Sequence, residues 1–277
     1  MNYVYVILFW AIGATSLWAE TITLASTTST QNSGLYDYLL PLIEEDTGIQ
    51  VRVVAVGTGQ ALRIARNGDA DLLLVHHRPS EVAFIQDGFG IKRFDLMYND
   101  YVIVGPENDP AGISNAPSLK FVYSKLAQGR APFISRGDDS GTHKRELMLW
   151  EQYSEIPMND WYREIGSGMG ATLNMAAAVG AYTLTDRGTW ISFGNKQNLE
   201  ILYEADPALF NPYGLILLNP EKFPHLKFDA AQQVADWLIS PVGQEAIGAF
   251  RSNDAQLFCP NAQEITIEAC PAQSLRK

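Results

Sequence analysis

Val51-Arg-Val-Val-Ala-Val-Gly-Thr-Gly59 joins a β-branched, apolar strand pattern to a short glycine-rich loop. A helical pattern follows over 59–67, and Leu72–Val75 is a second apolar strand pattern. On the other side, Thr21–Leu24 predicts a strand and residues 35–43 a helix that stops at Gly48. Alternating strands and helices predict an α/β fold with a mostly parallel central sheet covered by helices on both faces.

The middle of the chain repeats this alternation. Phe133–Ser135 predicts a strand, which leads through the loop Arg136-Gly-Asp-Asp-Ser-Gly-Thr142 into a helix. The alanine-rich stretch Thr172–Val179 predicts another helix, while Trp190–Phe193 and Tyr213–Leu218 predict strands. Ligands of such sheets bind beyond the carboxyl ends of the strands, where the loops enter the helices.

Proline-rich stretches at 105–110 and 206–212 interrupt the pattern twice. We interpret them as two crossings between a pair of lobes, each with its own sheet and with a ligand cleft between them. The first lobe is predicted to consist of residues 20–105 and 213–277, and the second of residues 106–212.

Composition narrows the classes of function. The chain has 277 residues, 47% of them hydrophobic and 18% charged, as in an ordinary folded protein. Its formal net charge of −11 argues against binding to nucleic acids or to anionic membrane surfaces, because such a field repels phosphates.

The first 19 residues contain no charged side chain and end at Ala19. Their apolar run has about the length of a signal-peptide core and is short for a membrane span. We expect a signal peptide over 1–19, cleaved near Ala19, and an exported, periplasmic protein. An uncleaved N-terminal anchor is the alternative.

Two cysteines, Cys259 and Cys270, lie near the C-terminus. In an oxidising exported compartment they are expected to form a disulfide. Two free thiols are the alternative.

Several loops place hydroxyl residues and glycines between a strand and a helix. They are Ser26–Thr30, Gly57–Gly59, Ser135–Thr142 and, as a fourth candidate, Gly166–Thr172. Helix N-termini expose unpaired backbone N–H groups, and glycine lets a ligand approach them closely. A single Ser or Thr in such a place is usually only an N-cap, but four similar loops predict a cage for a small oxyanion.

Arg136 adds to this prediction, since its planar guanidinium can meet two oxygens of a tetrahedral anion. The alternative for Arg136 is an ion pair with Asp138 or Asp139. His143 follows Ser140-Gly141-Thr142 and raises a second hypothesis, a secreted Ser/His hydrolase, although no Gly-x-Ser-x-Gly motif surrounds Ser140. A packing role is expected for His76.

The sequence resembles the tungstate-binding proteins of ABC uptake systems over nearly its whole mature length. The segments that carry the resemblance are Ser26–Gln31, Val56–Ala61, Ser135–His143 and Ala181–Trp190, the third being the most specific. The resemblance implies a type II periplasmic binding-protein fold, whose two lobes close on the ligand and then dock on a membrane permease. It implies neither a catalytic residue nor a cofactor, and we expect a monomer.

Residues that match the family's motifs are the predicted oxyanion contacts: Thr27, Thr28, Ser29, Thr58, Arg136, Ser140, Gly141, Thr142 and Thr172. The first hydroxyl of the family's Thr-Thr-Thr-Ser motif is Ser26 here. Tungstate carries two charges and no proton near neutral pH, so its site needs only donors, whereas protonated phosphate also needs an acceptor. Asp138 or Asp139 would favour phosphate if either pointed into the cleft. A molybdate, phosphate or sulfate carrier is the alternative within this class.

Overall fold

The computed structural model describes residues 19–155 and 160–262. The predicted signal peptide, except for Ala19, and Cys270 therefore lie outside the described residues. Cys259 is disulfide-bonded, and its pairing with Cys270 stays a prediction. No helix among the described residues is long and apolar enough to cross a membrane.

The elements up to the first crossing strand are β1 (Glu20–Thr27), α1 (Thr28–Asn32), α2 (Leu35–Thr47), β2 (Ile49–Val56), α3 (Thr58–Arg66), β3 (Leu72–Val75), α4 (Arg78–Gln86) and β4 (Gly90–Pro106). The central elements are α5 (Leu119–Gly129), β5 (Phe133–Ser135), α6 (Gly141–Tyr153), β6 (Tyr162–Glu164), α7 (Met169–Val179), β7 (Thr183–Asp186), α8 (Arg187–Ser192) and β8 (Leu199–Tyr203). The last elements are β9 (Phe210–Leu218), α9 (Phe228–Ile239), α10 (Pro241–Ala249), β10 (Arg251–Ser252), β11 (Ala255–Gln256) and β12 (Cys259–Pro260).

The first sheet has the strand order β12-β4-β9-β3-β1-β2. Strand β1 pairs in parallel with β2 and β3, whereas β9 runs antiparallel to both β3 and β4. The α/β class is confirmed, and the sheet is mixed because the strand that returns from the other lobe, β9, runs antiparallel to its neighbours β3 and β4. The carboxyl ends of β1, β2 and β3 lie on one edge, which places the loops after them together.

The second sheet grows from the far end of β4. Residues Tyr101–Pro106 of β4 pair antiparallel with β7 and β8. Strands β5 and β6 pair in parallel, and a bridge from Phe133 to Tyr182 joins them to this layer. The 17-residue strand β4 therefore belongs to both sheets.

Each sheet has its own hydrophobic core on each face. The first sheet packs on clusters that contain Ile22 and Leu215 on one face and Phe84 on the other. The second sheet packs on an aromatic cluster around Trp150 and on a smaller cluster around Leu173. The side chains of β4 change from the first set of clusters to the second between Met97 and Tyr101. The predicted lobe boundaries at 105 and 212 stay predictions, and we use "first lobe" and "second lobe" for the parts built on the two sheets.

Most predicted elements are confirmed, and one is wrong. The predicted strand Trp190–Phe193 falls largely within helix α8, because the Asp186 carboxylate accepts hydrogen bonds from Thr189 N (2.8 Å) and Thr189 Oγ1 (2.6 Å) and so caps a helix at this point. Tyr101–Gly105 is a strand as predicted, but it is the end of one that already begins at Gly90.

Candidate functional site

The loop after β1 supplies two of the predicted hydroxyl groups to a cavity. Thr28 is half-buried and Ser29 is buried, both in the first turn of the short helix α1. Thr27 is the N-cap of that helix, and its Oγ1 lies 2.8 Å from Thr30 Oγ1 and 3.2 Å from Ser29 Oγ. Thr27 therefore holds the loop in place, while Thr28 and Ser29 line the cavity.

The loop after β5 brings Arg136 to the same cavity from the second lobe. The side chain is 4% exposed. Its Nη2 and Nε donate to Asp138 Oδ2 at 2.6 and 3.2 Å, and Nη1 makes no hydrogen bond to the described residues. One edge of the guanidinium is thus fixed by a carboxylate, and the remaining nitrogen is available to a ligand.

The N-terminus of α7 forms a third wall. Its N-cap is Gly168, which has no side chain that could accept a hydrogen bond from the first turn. The first N–H groups of an α-helix have no partner within the helix, and they carry a partial positive charge. Residues Ser167–Ala171 line the cavity, so these donors are available at its surface.

Together these walls enclose about 260 Å3. The lining residues are Thr28, Ser29, Asn32, Arg136, Ser167, Gly168, Met169, Gly170, Ala171 and Thr189. Among the described residues of this lining Arg136 carries the charge, and none of them is a carboxylate. The cavity can therefore offer hydroxyl, amide and guanidinium donors from both lobes to one small guest, without a repelling negative charge in its wall.

The two carboxylates of the Arg136 loop, Asp138 and Asp139, are engaged by basic groups or by the backbone. Asp138 binds Arg136 and also accepts from Ser140 N (3.3 Å); burial opposes its ionisation, but these bonds outweigh burial and hold the pKa of Asp138 below its usual value. Asp139 pairs with Lys144 (3.2 Å) and lies 3.8 Å from Arg63. The acceptor that protonated phosphate would need is not part of the cavity wall.

The lobes touch beside the cavity. Gly141 N donates to Thr58 Oγ1 at 3.1 Å, across the gap between α6 and α3. A Cβ on Gly141 would lie 2.8 Å from His76 Cε1, and a Cβ on Gly59 would lie 2.1 Å from Asp139 Oδ2. Both added methyl groups would meet side chains of the facing residues, and at Gly141 the obstacle is the buried ring of His76, so glycine leaves room there for the packed side chains.

The predicted contacts fall into four groups. Thr28, Ser29 and Arg136 line one cavity, and Thr58 is bonded to Gly141. Thr27 and Ser140 act as N-caps of α1 and α6. Thr142 and Thr172 are fully buried: Thr172 Oγ1 donates to Gly168 O (3.2 Å), whereas Thr142 Oγ1 has no partner among the described residues. Direct contact of any of the nine predicted residues with a ligand stays a prediction.

Sequence reasoning missed part of the lining. Asn32 carried no signal, since single polar residues on short helices are common, and Thr189 lies in the resembling segment Ala181–Trp190 but was not among the predicted contacts. His76 was expected to pack, and it does stack on Tyr213, with the ring centroids 4.8 Å apart. Its Nε2 also lies 3.4 Å from Ser29 Oγ, which places it directly behind the cavity wall.

The Ser/His arrangement of a hydrolase is not formed. His143 Nε2 lies 3.0 Å from Glu164 Oε1, and Nδ1 accepts from Asp139 N at 3.3 Å. Ser140 Oγ accepts from the backbone N of His143 at 3.2 Å and makes no bond to the ring. Neither ring nitrogen is therefore placed to take a proton from Ser140.

Comparison with known proteins agrees with this geometry. A model of the PBP superfamily domain matches residues 14–242. The tungstate-binding protein TupA of Peptoclostridium acidaminophilum is 46% identical over 245 residues, which are 87% of this chain and 86% of that protein. The chain belongs to the TupA family.

Solved structures support membership of the TupA family and the type II periplasmic binding-protein fold. The tungstate-binding protein TupA of Desulfovibrio alaskensis G20 is 46% identical, with a TM-score of 0.78, and the match covers 88% of this chain and 100% of that one. A structure described as the tungstate ABC transporter from Geobacter sulfurreducens is 49% identical, with a TM-score of 0.77 over 83% of this chain and 99% of that one. The first of these two relatives is named as a tungstate-binding protein and the second as a tungstate ABC transporter.

Proposed function

We propose that this protein captures tungstate in the cavity between its lobes and delivers it to an ABC transporter. The observation that carries the proposal is the composition of the cavity wall. Thr28 and Ser29 come from the first lobe, and Arg136 and the first turn of α7 come from the second. Within the described part of the chain, no carboxylate lies among the lining residues.

Such a wall suits a fully deprotonated dianion. Moving a dianion out of water is costly unless each oxygen gains hydrogen bonds. Hydroxyl and backbone N–H donors supply these bonds, and Arg136 adds a charge-assisted one. The N-terminus of α7 contributes further positive potential without a second countercharge.

The wall also favours tungstate over phosphate. Near neutral pH phosphate usually keeps a proton, which requires an acceptor in the site. The two candidate acceptors, Asp138 and Asp139, are bonded to Arg136 and Lys144. The names of the TupA relatives support the choice of tungstate within the class of dianions without a proton.

We extend the proposal to the setting of the protein. An exported, periplasmic chain, cleaved near Ala19, would meet tungstate outside the cytoplasm and present it as a monomer to a membrane permease. The relation to transporter components supports the partner. N-terminal sequencing of the exported protein tests the cleavage, and a first residue at Glu20 is the expected result.

Titration calorimetry with tungstate, molybdate, sulfate and phosphate tests the choice of ligand. We expect tungstate to bind most tightly and phosphate most weakly. Tungsten in the purified protein, measured by elemental analysis, would be an independent sign of capture. Tighter binding of phosphate than of tungstate would overturn the proposal. Tight binding of sulfate alone would show that the ligand is a dianion other than tungstate.

A further inference from the structure

His76 connects the cavity to the strand by which the chain returns to the first lobe. The residue follows β3 directly and is 5% exposed. Its Nε2 faces Ser29 Oγ in the cavity wall (3.4 Å), and its Nδ1 lies 3.1 Å from Asn211 Oδ1 on β9. The ring stacks on Tyr213 of the same strand. One imidazole therefore touches both a predicted ligand contact and a crossing strand.

The hydrogen bonds of Asn211 determine which nitrogen of His76 carries the hydrogen. Asn211 Nδ2 donates to Asn99 Oδ1 at 2.6 Å, so Asn211 Oδ1 faces His76 as an acceptor. In this arrangement His76 Nδ1 donates to Asn211 Oδ1, and Tyr101 Oη, 3.2 Å from the same nitrogen, can share that hydrogen. In the neutral ring Nε2 then keeps its lone pair. It follows that the Ser29 hydroxyl donates to His76 when the cavity holds no anion.

Burial keeps this ring neutral in the ligand-free protein and lowers the pKa of His76 to about 4, although the nearby Asp186 carboxylate opposes the shift. Titratable and charged groups approach the ring from several elements: His77 from the following residue, Tyr101 from β4, Tyr213 from β9, Asp186 from the start of α8 and Arg136 from the loop before α6. A second negative charge, brought by a ligand beside Ser29, would favour the protonated ring.

We propose that His76 is a positioning residue through which anion binding is coupled to the uptake of one proton. When a dianion enters the cavity, Ser29 turns its hydroxyl hydrogen from His76 Nε2 to an anion oxygen. His76 Nε2 takes a proton from solvent and donates it in a hydrogen bond to Ser29 Oγ, and no covalent bond of the ligand changes. This inference rests on the proposed function, because it needs an anion beside Ser29.

Linkage gives the sign of the effect. If the anion-bound state holds more protons than the free state, the affinity falls as the pH rises, by up to about tenfold per pH unit for one proton. The affinity depends on pH in the range between the low pKa of His76 in the free protein and its higher pKa in the anion-bound protein. We therefore expect tungstate to bind more weakly at pH 8 than at pH 6.

Calorimetry of tungstate binding in buffers of different ionisation enthalpy measures the protons taken up by the full-length exported protein. We expect a fractional uptake that is larger at pH 6 than at pH 8. In His76→Gln the amide N–H can donate to Ser29 at every pH, so binding persists within about tenfold while the proton uptake is lost. His225 contacts Gly68 O away from the cavity, so His225→Gln should change neither the affinity for tungstate nor the proton uptake.

The outcomes separate this inference from the proposed function. If the unaltered protein binds no tungstate, the proposed function fails. If it binds tungstate without proton uptake, or if His76→Gln keeps the uptake, the proposed function stands and the role of His76 is refuted. The measurement on the unaltered protein decides the question even if a His76 variant does not fold.

Discussion

Arg136 and Arg187 are equally buried, at 4% and 5% exposed, but their surroundings differ. Arg187 makes three hydrogen bonds of 2.6 Å, two to Asp100 and one to Glu204, near the point where β4 passes between the sheets. Arg136 binds a single carboxylate through one edge and lines the cavity. Arg187 is thus held by two carboxylates through Nε and Nη2, whereas Arg136 uses the same two nitrogens for one carboxylate and lies in the cavity wall.

This contrast predicts a large loss of stability at one site. Arg187→Met should lower the free energy of unfolding by about 3–5 kcal/mol, because it leaves the buried Asp100 carboxylate without its countercharge. Urea unfolding measures the effect. Arg136→Met is the matched control. It should lower the free energy of unfolding by less, because Asp138 is partly exposed and still accepts a hydrogen bond from Ser140 N. Equal losses of unfolding free energy in the two variants would show that Arg187 and Arg136 do not differ in their contribution to stability.

The same contrast predicts a loss of affinity at the other site. Arg136→Ala should weaken tungstate binding about 100-fold, close to 3 kcal/mol, because it removes the charge-assisted donor of the cavity. Thr30→Ala, whose hydroxyl bonds to Thr27 inside the loop, should cost less than about tenfold. Calorimetry compares the variants, and equal losses for Arg136→Ala and Thr30→Ala would contradict the assignment.

Arg136→Lys refines this test, because lysine keeps the charge but lacks the planar fork. If the orientation that Asp138 gives to the guanidinium matters, the affinity of the lysine variant for tungstate should lie between those of the unaltered protein and the alanine variant. Affinity as high as that of the unaltered protein would show that charge alone suffices.

A smaller effect is expected where the lobes touch. Gly141→Ala would place its Cβ 2.8 Å from His76 Cε1 and 3.0 Å from Thr58 Oγ1, so the contact between α6 and α3 must open. Overpacking of this kind costs about 1–3 kcal/mol, and we expect about tenfold weaker tungstate binding by calorimetry. Gly129→Ala is the control, since nothing lies within 4 Å of its added methyl group. Unchanged binding in Gly141→Ala would show that the two lobes need not touch there.

The sequence predicted most elements because their signals are local. The β-branched run 51–56 and the helix that ends at Gly48 carry their own periodicity and stop signals. The loop with Arg136 was recognised for the same reason, since hydroxyl and glycine residues between a strand and a helix suggest an anion site by themselves.

The remaining features depend on contacts between distant residues. Trp190–Phe193 has too few residues to separate strand from helix by periodicity, and the cap from Asp186 decides it. From the sequence, Arg136 could pair with Asp138, pair with Asp139 or bind a ligand. The conformation of the loop determines that it pairs with Asp138. His76 is placed behind the cavity wall by contacts with Ser29 and Asn211, which are 47 and 135 residues away in sequence.

Strand β9 lies between β3 and β4 in the first sheet, although more than 100 residues separate it from β4 in sequence. The sheet of the first lobe therefore stays open until residues 210–218 have been synthesised, while the second sheet is built from segments that are available sooner. Pairings between such distant segments form slowly. We expect the second lobe to become compact first and the first lobe to limit the rate of folding, so that the site, which needs both, is assembled last.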